Sequence, residues 1–196
     1  EGGRGGRPLS AKSVRHTHGV LRKALGDAKR RGHVSRNVAE DATPPVPKRP
    51  ELEVWTAEQL RAFLASVADD RLYALWLLLA TTGMRRGEAL GLRWADVDLD
   101  AGTVTVRRNR TLVAGRVVVQ DTKTDQGRRR IALDPETVDA LRRHRVRQVE
   151  ERLAASSAWQ DTGAVFVRED GSEPHPNRVS VWFGEHAAAA GLPPIR

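Results

Sequence analysis

The sequence predicts a mainly α, α+β fold: a helical domain built around a small three-stranded antiparallel sheet, preceded by a truncated helical unit. Three observations predict it. Apolar residues recur at helical spacing through most of the chain. Three short β-branched runs, separated by turn residues, cluster between residues 103 and 133. Helices and strands come in blocks rather than in βαβ alternation, so a parallel sheet is not expected.

The opening EGGRGGRPL is Gly-rich and expected to be loose. Ser10 caps a helix running to Arg31, which Gly32 stops. Val14, Leu21, Leu25 and Ala28 recur at helical spacing and form its expected buried stripe. Lys12, Arg15, Arg22 and Lys29 form a second stripe roughly 100° away, with Gly19 and Gly26 near it. Such a stripe is either a solvated charged face or a surface on which small residues let a phosphate backbone come close. One short helical companion over 34–39 precedes the Pro-rich run 43–50. One and a half helices cannot bury a core of their own. The first domain, 1–42, therefore reads as cut on its N-terminal side, and 43–53 reads as a Pro-stiffened linker.

The second domain spans 54–196. Thr56 and Gln59 make a capping box for a helix over 57–68. Residues 71–82 are apolar on every side, the mark of a central buried helix, and Gly83 ends it. A helical turn over 88–92 leads into strands at 103–107, 116–120 and 129–133, with turns at Ala114-Gly115 and Asp125-Gln126-Gly127. Pro135 at the first helical position opens a helix over 136–155 with Val138, Leu141, Val149 and Leu153 inward. A short strand over 164–167 and a final helix over 179–190, closed by Gly191, complete the order.

Charge distribution says more than composition. Residues 1–50 hold 12 Lys/Arg against 4 Asp/Glu, and 51–196 hold 21 against 21, so the whole excess of +8 lies in the first quarter. A polyanion would meet that segment first, and this concentration favours nucleic acid over a merely solvated face. No amphipathic helix carries bulky apolar residues opposite a basic face, which argues against an acidic membrane surface. The longest uncharged apolar run, 72–84, has 13 residues, short of the ~20 that a bilayer requires. Glu1 opens a Gly/Arg-rich stretch rather than the apolar run of a signal peptide. The absence of cysteine excludes disulfides, Cys-ligated zinc and Cys nucleophiles. Lysine is scarce: residues 51–196 hold one, Lys123, among 20 arginines. That is either drift or a position where a guanidinium cannot serve, such as one that donates a proton.

The run from Ala80 to Asp98 contains Thr82, Gly83, Arg85, Glu88, Leu92, Trp94 and Asp96 in the pattern Thr-Gly-x-Arg-x-x-Glu-x-x-x-Leu-x-Trp-x-Asp. Downstream stands Thr122-Lys123-Thr124, four residues, then Arg-Arg-Ile-x-Leu. In this order and separation the two motifs closely resemble those of the tyrosine recombinase (phage integrase) family. Residues 10–45 resemble the end of that family's core-binding, DNA-binding domain, with Asn37-Val38 where Asn-Pro is more usual. The resemblance covers nearly the whole chain.

The resemblance implies site-specific DNA recombination through a 3′-phosphotyrosine, with double-stranded DNA as partner. It implies a homotetramer on DNA, no metal or other cofactor, no small-molecule substrate, and a cytoplasmic, nucleoid-associated bacterial or phage protein. It makes Arg85 and Lys123 catalytic: Arg85 on the non-bridging phosphate oxygens, Lys123 as the acid that protonates the leaving 5′-hydroxyl. The chemistry agrees, because a guanidinium fork pairs with two phosphate oxygens and a lysine, unlike an arginine, can give up its proton. Arg86 competes with Arg85, but the spacing from Gly83 and to Glu88 favours Arg85 and leaves Arg86 as a solvated side chain. Glu88 lies three residues after Arg85, where an i,i+3 pair supports the site structurally. Lys12, Arg15, Arg22 and Lys29 are the expected DNA-binding residues of the first domain.

The family's His-x-x-Arg box, a later His or Trp, and its tyrosine nucleophile have no counterpart by position. His175-Pro-Asn-Arg178 has the right spacing but precedes the final helix, and Pro176 disfavours a helical register there. Tyr73, the one tyrosine, falls inside the buried helix and reads as a packing residue, and His186 has no evident partner. The catalytic domain is accordingly expected to be truncated, and the chain alone is expected to bind DNA without turnover. The alternative is a non-catalytic DNA-binding remnant. A generic Arg-rich RNA-binding protein lacks support, since no aromatic-rich RNP strand or Gly-loop motif is present.

Overall fold

The computed structural model describes residues 8–47, 53–121 and 128–195. The chain divides into two compact units, 1–52 and 53–196. The fold is mainly α with a small antiparallel sheet component, as expected.

In the first unit Ser10 caps α1 (Ala11–Arg30) by accepting from the Ser13 N–H at 3.1 Å. A single 3₁₀ turn, Val38–Glu40, replaces the helical companion expected over 34–39. Buried Asn37 accounts for it: its carboxamide accepts from the Ala39 N–H (3.1 Å) and donates to the Arg22 carbonyl (2.8 Å), tying the turn to α1. His18 adds a contact to the Ala39 carbonyl at 2.7 Å. The stripe expected to be buried is covered only in part. Val14, Leu25 and Ala28 are half-buried and Leu21 is exposed, because one short turn is too small to cover a helix of 20 residues.

The second unit is organised around α3 (Tyr73–Thr82), whose residues Ala74 to Leu78 are all buried, so this helix is wrapped on every side. Complete burial of a leucine such as Leu75 or Leu78 contributes about 2–3 kcal/mol each. The capping box at Thr56 opens α2 (Ala57–Ser66) as expected. Phe63 of α2 joins Trp55, Trp76 and Phe183 in a ring cluster with centroid separations of 5.1 to 6.3 Å.

After α4 (Arg86–Leu90) the strands differ from the expected single sheet in their pairing. β1 (Val97–Asp98), β2 (Thr103–Val106) and β5 (Arg129–Ala132) form the three-stranded antiparallel sheet. The strand expected at 116–120, β4 (Arg116–Asp121), instead pairs with β3 (Arg108–Val113) in a separate two-stranded ribbon around the Ala114-Gly115 turn. β3 was hidden in the sequence because its Arg-Asn-Arg start lacks the alternation of a half-buried strand. The expected strand over 164–167 is a single bridge between Arg93 and Ala164.

Pro135 does open α5 (Pro135–Ala155), but Val149 and Leu153 are exposed rather than inward. At about 100° per residue the buried face runs through Thr137, Leu141, His144 and Gln148, and Val149 and Leu153 lie more than a quarter-turn away. Polar side chains occupy the interior where backbone carbonyls of 164–165 and the Trp94 indole offer partners to Gln148 and to one ring nitrogen of His144. His144 pairs with the Val165 carbonyl (2.8 Å), and Gln148 donates to the Ala164 carbonyl (3.1 Å) while accepting from the Trp94 indole (2.5 Å). The last helix, α6 (Pro176–Ala189), starts earlier than expected, with His175 as its cap. Pro176 favours the helix here, since the first helical position needs no N–H donor. No helix among the described residues is long and apolar enough to cross a membrane.

α4 and β3 meet at two glycines. A Cβ on Gly87 would overlap the Asn109 carboxamide and stand 2.7 Å from the Arg110 carbonyl oxygen, and one on Gly91 would stand 2.9 Å from the Arg108 carbonyl oxygen. Gly87→Ala is therefore expected to destabilise the second unit by about 2 kcal/mol. Gly19→Ala, on a helix face with nothing within 4 Å, is expected to stabilise α1 by up to ~1 kcal/mol. All five tryptophans lie in the second unit, so urea unfolding followed by tryptophan fluorescence reads the first effect. Helical circular dichroism reads the second.

Candidate nucleic-acid site

Gly83 ends α3 in the left-handed conformation (φ 62°), its N–H bonded to the Leu79 carbonyl at 3.2 Å. Only a residue without a Cβ adopts this conformation readily, which is why the turn carries glycine. Met84, next in the chain, is buried and anchors the turn from below. Arg85 then becomes the cap of α4 with extended backbone (φ −68°, ψ 144°), and its side chain is 80% exposed. A rigid base and a solvent-facing tip result.

Glu88 lies beneath that tip with its side chain only 5% exposed. One carboxylate oxygen accepts from the Arg85 main-chain N–H (2.9 Å) and the other from the Arg85 Nη1 (3.1 Å). The i,i+3 pair expected from the sequence is thus present. What sequence reasoning missed is Arg129 of β5, which reaches the same carboxylate with both Nη atoms at 3.0 and 2.8 Å. A parity signal for it existed. Residues two apart in a strand share a face, and Ile131 packs on the core, so Arg129 points inward and Arg130 outward. The Arg129 fork is the largest cause holding the Glu88 carboxyl down at about 2, well below its ordinary value, against the opposing effect of burial. Glu88 in turn raises the Arg129 guanidinium above its usual value.

The remaining motif residues hold this arrangement from behind. Leu92 is fully buried. The Asp96 carboxylate, 4% exposed, accepts from the Arg93 N–H (3.1 Å), pairs with Arg107 (3.2 Å) and pairs with Arg108 of β3. The Trp94 ring lies under the Arg145 guanidinium at 5.2 Å.

Other expectations are placed as follows. Lys123 lies outside the described residues. Arg86, expected to be solvated, is half-buried and donates to the Ser180 hydroxyl of α6. Tyr73 packs against the core with its hydroxyl 3.4 Å from Glu136, and burial is the main cause pushing its pKa up. His186 has partners after all: Asp70 at 3.3 Å and the edge of Trp76 at 6.0 Å. His175 caps α6, and Arg178 lies over the Trp182 ring at 5.6 Å. On α1, Lys12, Arg15, Arg22 and Lys29 are all exposed. Among the described residues none of these four side chains is paired with a carboxylate, whereas Arg30 pairs with Asp27 and Arg36 with Asp41. No cluster of three or more His, Asp or Glu suited to a metal occurs among the described residues.

Comparison with known proteins gives the family and the fold. The model of the phage integrase family matches residues 53–194. The chain belongs to the phage integrase family. A tyrosine recombinase XerC-like protein of Caldanaerobacter subterraneus subsp. tengcongensis is 26% identical over 94% of this chain and 52% of its own length. An integrase of Streptomyces ambofaciens is 33% identical over 81% of this chain and 42% of its own length. The chain thus spans about half, or less, of the length of these relatives. Among solved structures, the integrase of the Tn1549 transposon in complex with a circular intermediate DNA superposes with a TM-score of 0.74. It is 19% identical over 93% of this chain and 60% of that one, a likeness of fold. A λ integrase dimer bound to a COC′ core site gives a TM-score of 0.55 at 16% identity, over 94% of this chain and 47% of that one.

The Glu88 carboxyl sits lower in the folded chain (about 2) than its ordinary 4.5. Its ionised form therefore stabilises the fold fully above pH ~5, and that contribution is lost as pH falls through 4.5 toward 2. The shift corresponds to on the order of 3 kcal/mol. Glu88→Gln should lower stability at neutral pH and flatten the acid limb of the stability profile, measured by denaturant midpoints between pH 7 and pH 3.

Proposed function

We propose that this chain is part of a site-specific DNA recombinase of the integrase type, comprising the end of a core-binding domain (1–42), a linker (43–53) and a large part of the catalytic domain (54–196). The observation that carries the reading is Arg85: an exposed guanidinium, fixed at both its backbone and its side chain by one buried carboxylate. Such a group can neutralise the charge that builds on the phosphate oxygens during strand exchange without reorganising first. Family membership and DNA-bound relatives of the same fold support it.

In this reading Arg85 binds the scissile phosphate and Lys123, proposed from its sequence position alone, protonates the leaving 5′-hydroxyl. Glu88 supports the site. Lys12, Arg15, Arg22 and Lys29 line the face of α1 that follows the phosphate backbone, with Gly19 open beside them. The chain acts on double-stranded DNA as part of a homotetramer, in the cytoplasm at the nucleoid.

Two experiments test this. In the protein that contains this chain, Arg85→Ala should slow formation of the covalent 3′-phosphotyrosine adduct by ~10²–10³-fold while changing DNA affinity little. Lys123→Ala should likewise slow cleavage far more than it weakens binding, and equal losses in both would remove the general-acid role. Separately, replacing Lys12, Arg15, Arg22 and Lys29 by alanine should flatten the salt dependence of duplex binding by about 0.9 in slope for each phosphate that is no longer neutralised. Fluorescence anisotropy at several salt concentrations reads that slope, and an unchanged slope would exclude the α1 face.

A further inference from the structure

The Glu88 cluster contains more positive charge than a simple supporting pair would need. One carboxylate has about four acceptor directions, and here it meets four N–H groups: two from Arg85 and two from Arg129. The share is unequal. Arg129 takes both oxygens in a parallel fork, the strongest geometry open to a guanidinium and carboxylate. The Arg85 guanidinium makes a single contact and keeps its remaining donors in an 80% exposed tip. Glu88, at 5% exposed, has almost no water to take the place of either partner.

Charge counting separates two cases. With Glu88 and Arg85 alone, a buried carboxylate would cancel the guanidinium and compete with any incoming anion for its donors. With Arg129 added, two positive charges face one negative, and the cluster is left with a net charge of +1. The three residues come from distant places, α4 and β5, with 41 positions between Glu88 and Arg129. The compensation is therefore a product of the fold.

We infer that Arg129 is a positioning residue for the anion site: by occupying Glu88 with its fork, it leaves the charge and donors of Arg85 available to a phosphate oxygen. The inference rests on the reading of Arg85 as the phosphate-binding group. Arg129 itself need not touch the anion. Its position in β5, where Arg129 pairs with Val106 of β2, gives the fork a fixed base.

The test is a charge cycle on the ¹⁵N-labelled chain, with inorganic phosphate as the probe at neutral pH. The Arg85 Nε–H resonance, assigned by its loss in Arg85→Gln, reports binding. Arg129→Gln brings the cluster to zero charge and should weaken phosphate binding roughly tenfold. Glu88→Gln combined with Arg129→Gln leaves Arg85 as the sole charge, again +1, and should return affinity to within about threefold of the wild-type chain. Arg129→Lys restores the charge without the fork and should recover affinity in part. If Arg129→Gln does not fold, Glu88→Gln compared with the double variant still tests the route: with no carboxylate left to occupy, removing Arg129 should change phosphate affinity by less than about threefold. A folded Arg129→Gln of wild-type affinity, a double variant as weak as the single one, or a roughly tenfold loss on removing Arg129 from Glu88→Gln would overturn the inference. An Arg85 resonance that phosphate leaves unmoved in the wild-type chain overturns the reading of Arg85 and this inference together. A responsive Arg85 with a flat cycle overturns the inference alone.

Discussion

A buried carboxylate is costly unless it is paired and fully hydrogen-bonded, and Glu88 places that constraint at the centre of the second unit. Its two oxygens must be satisfied from opposite directions, and the chain does so from the turn after α3 and from β5. Much of the local architecture follows from this demand. The turn must bring the Arg85 backbone N–H within reach, which requires the left-handed Gly83 and the buried Met84 beside it. The sheet must bring Arg129 within reach, which sets where β5 pairs along β2. The glycines at 87 and 91 let α4 lie close against β3, so that Arg108 can pair with Asp96 behind the site.

The same constraint accounts for the division of labour among a large number of arginines. Residues 93, 107, 108, 110 and 129 pair with buried or nearly buried carboxylates, and Arg71 pairs with Glu151 across the core. A buried ion pair adds little net stability, because desolvation offsets much of the attraction. Removing one partner is the expensive event. Positions of this kind suit a site that must hold a guanidinium still, and Arg85 is the one member of the Glu88 cluster whose charge is turned outward.

Sequence reasoning reached the parts of this arrangement that are local in the chain. Gly83, Arg85 and Glu88 fall within six residues, so their spacing implied the turn and the i,i+3 pair, and the family pattern it matches pointed to Arg85 over Arg86. The helix starts marked by Ser10, Thr56 and Pro135 were legible for the same reason. Expectation and structure part where the outcome depends on a distant partner. Arg86 looked solvated because Ser180 is 94 positions distant, and His186 looked unpartnered because Asp70 lies far from it in the chain. On α5, hydrophobicity pointed to Val149 and Leu153, yet His144 and Gln148 took the interior because backbone acceptors at Ala164 and Val165 awaited them.

By itself, then, the amino-acid sequence determined the class of fold, the family, the uneven charge and the rigid turn that presents Arg85. Each is a matter of composition or of neighbours within a few residues, where backbone geometry leaves little choice. Only the tertiary structure decided that an arginine of β5 meets Glu88, which strands share a sheet, and which face of α5 is covered. These are choices among chemically similar candidates. They are resolved by which distant segment can complete the hydrogen bonds of a buried group, and that information is carried by the packed chain as a whole.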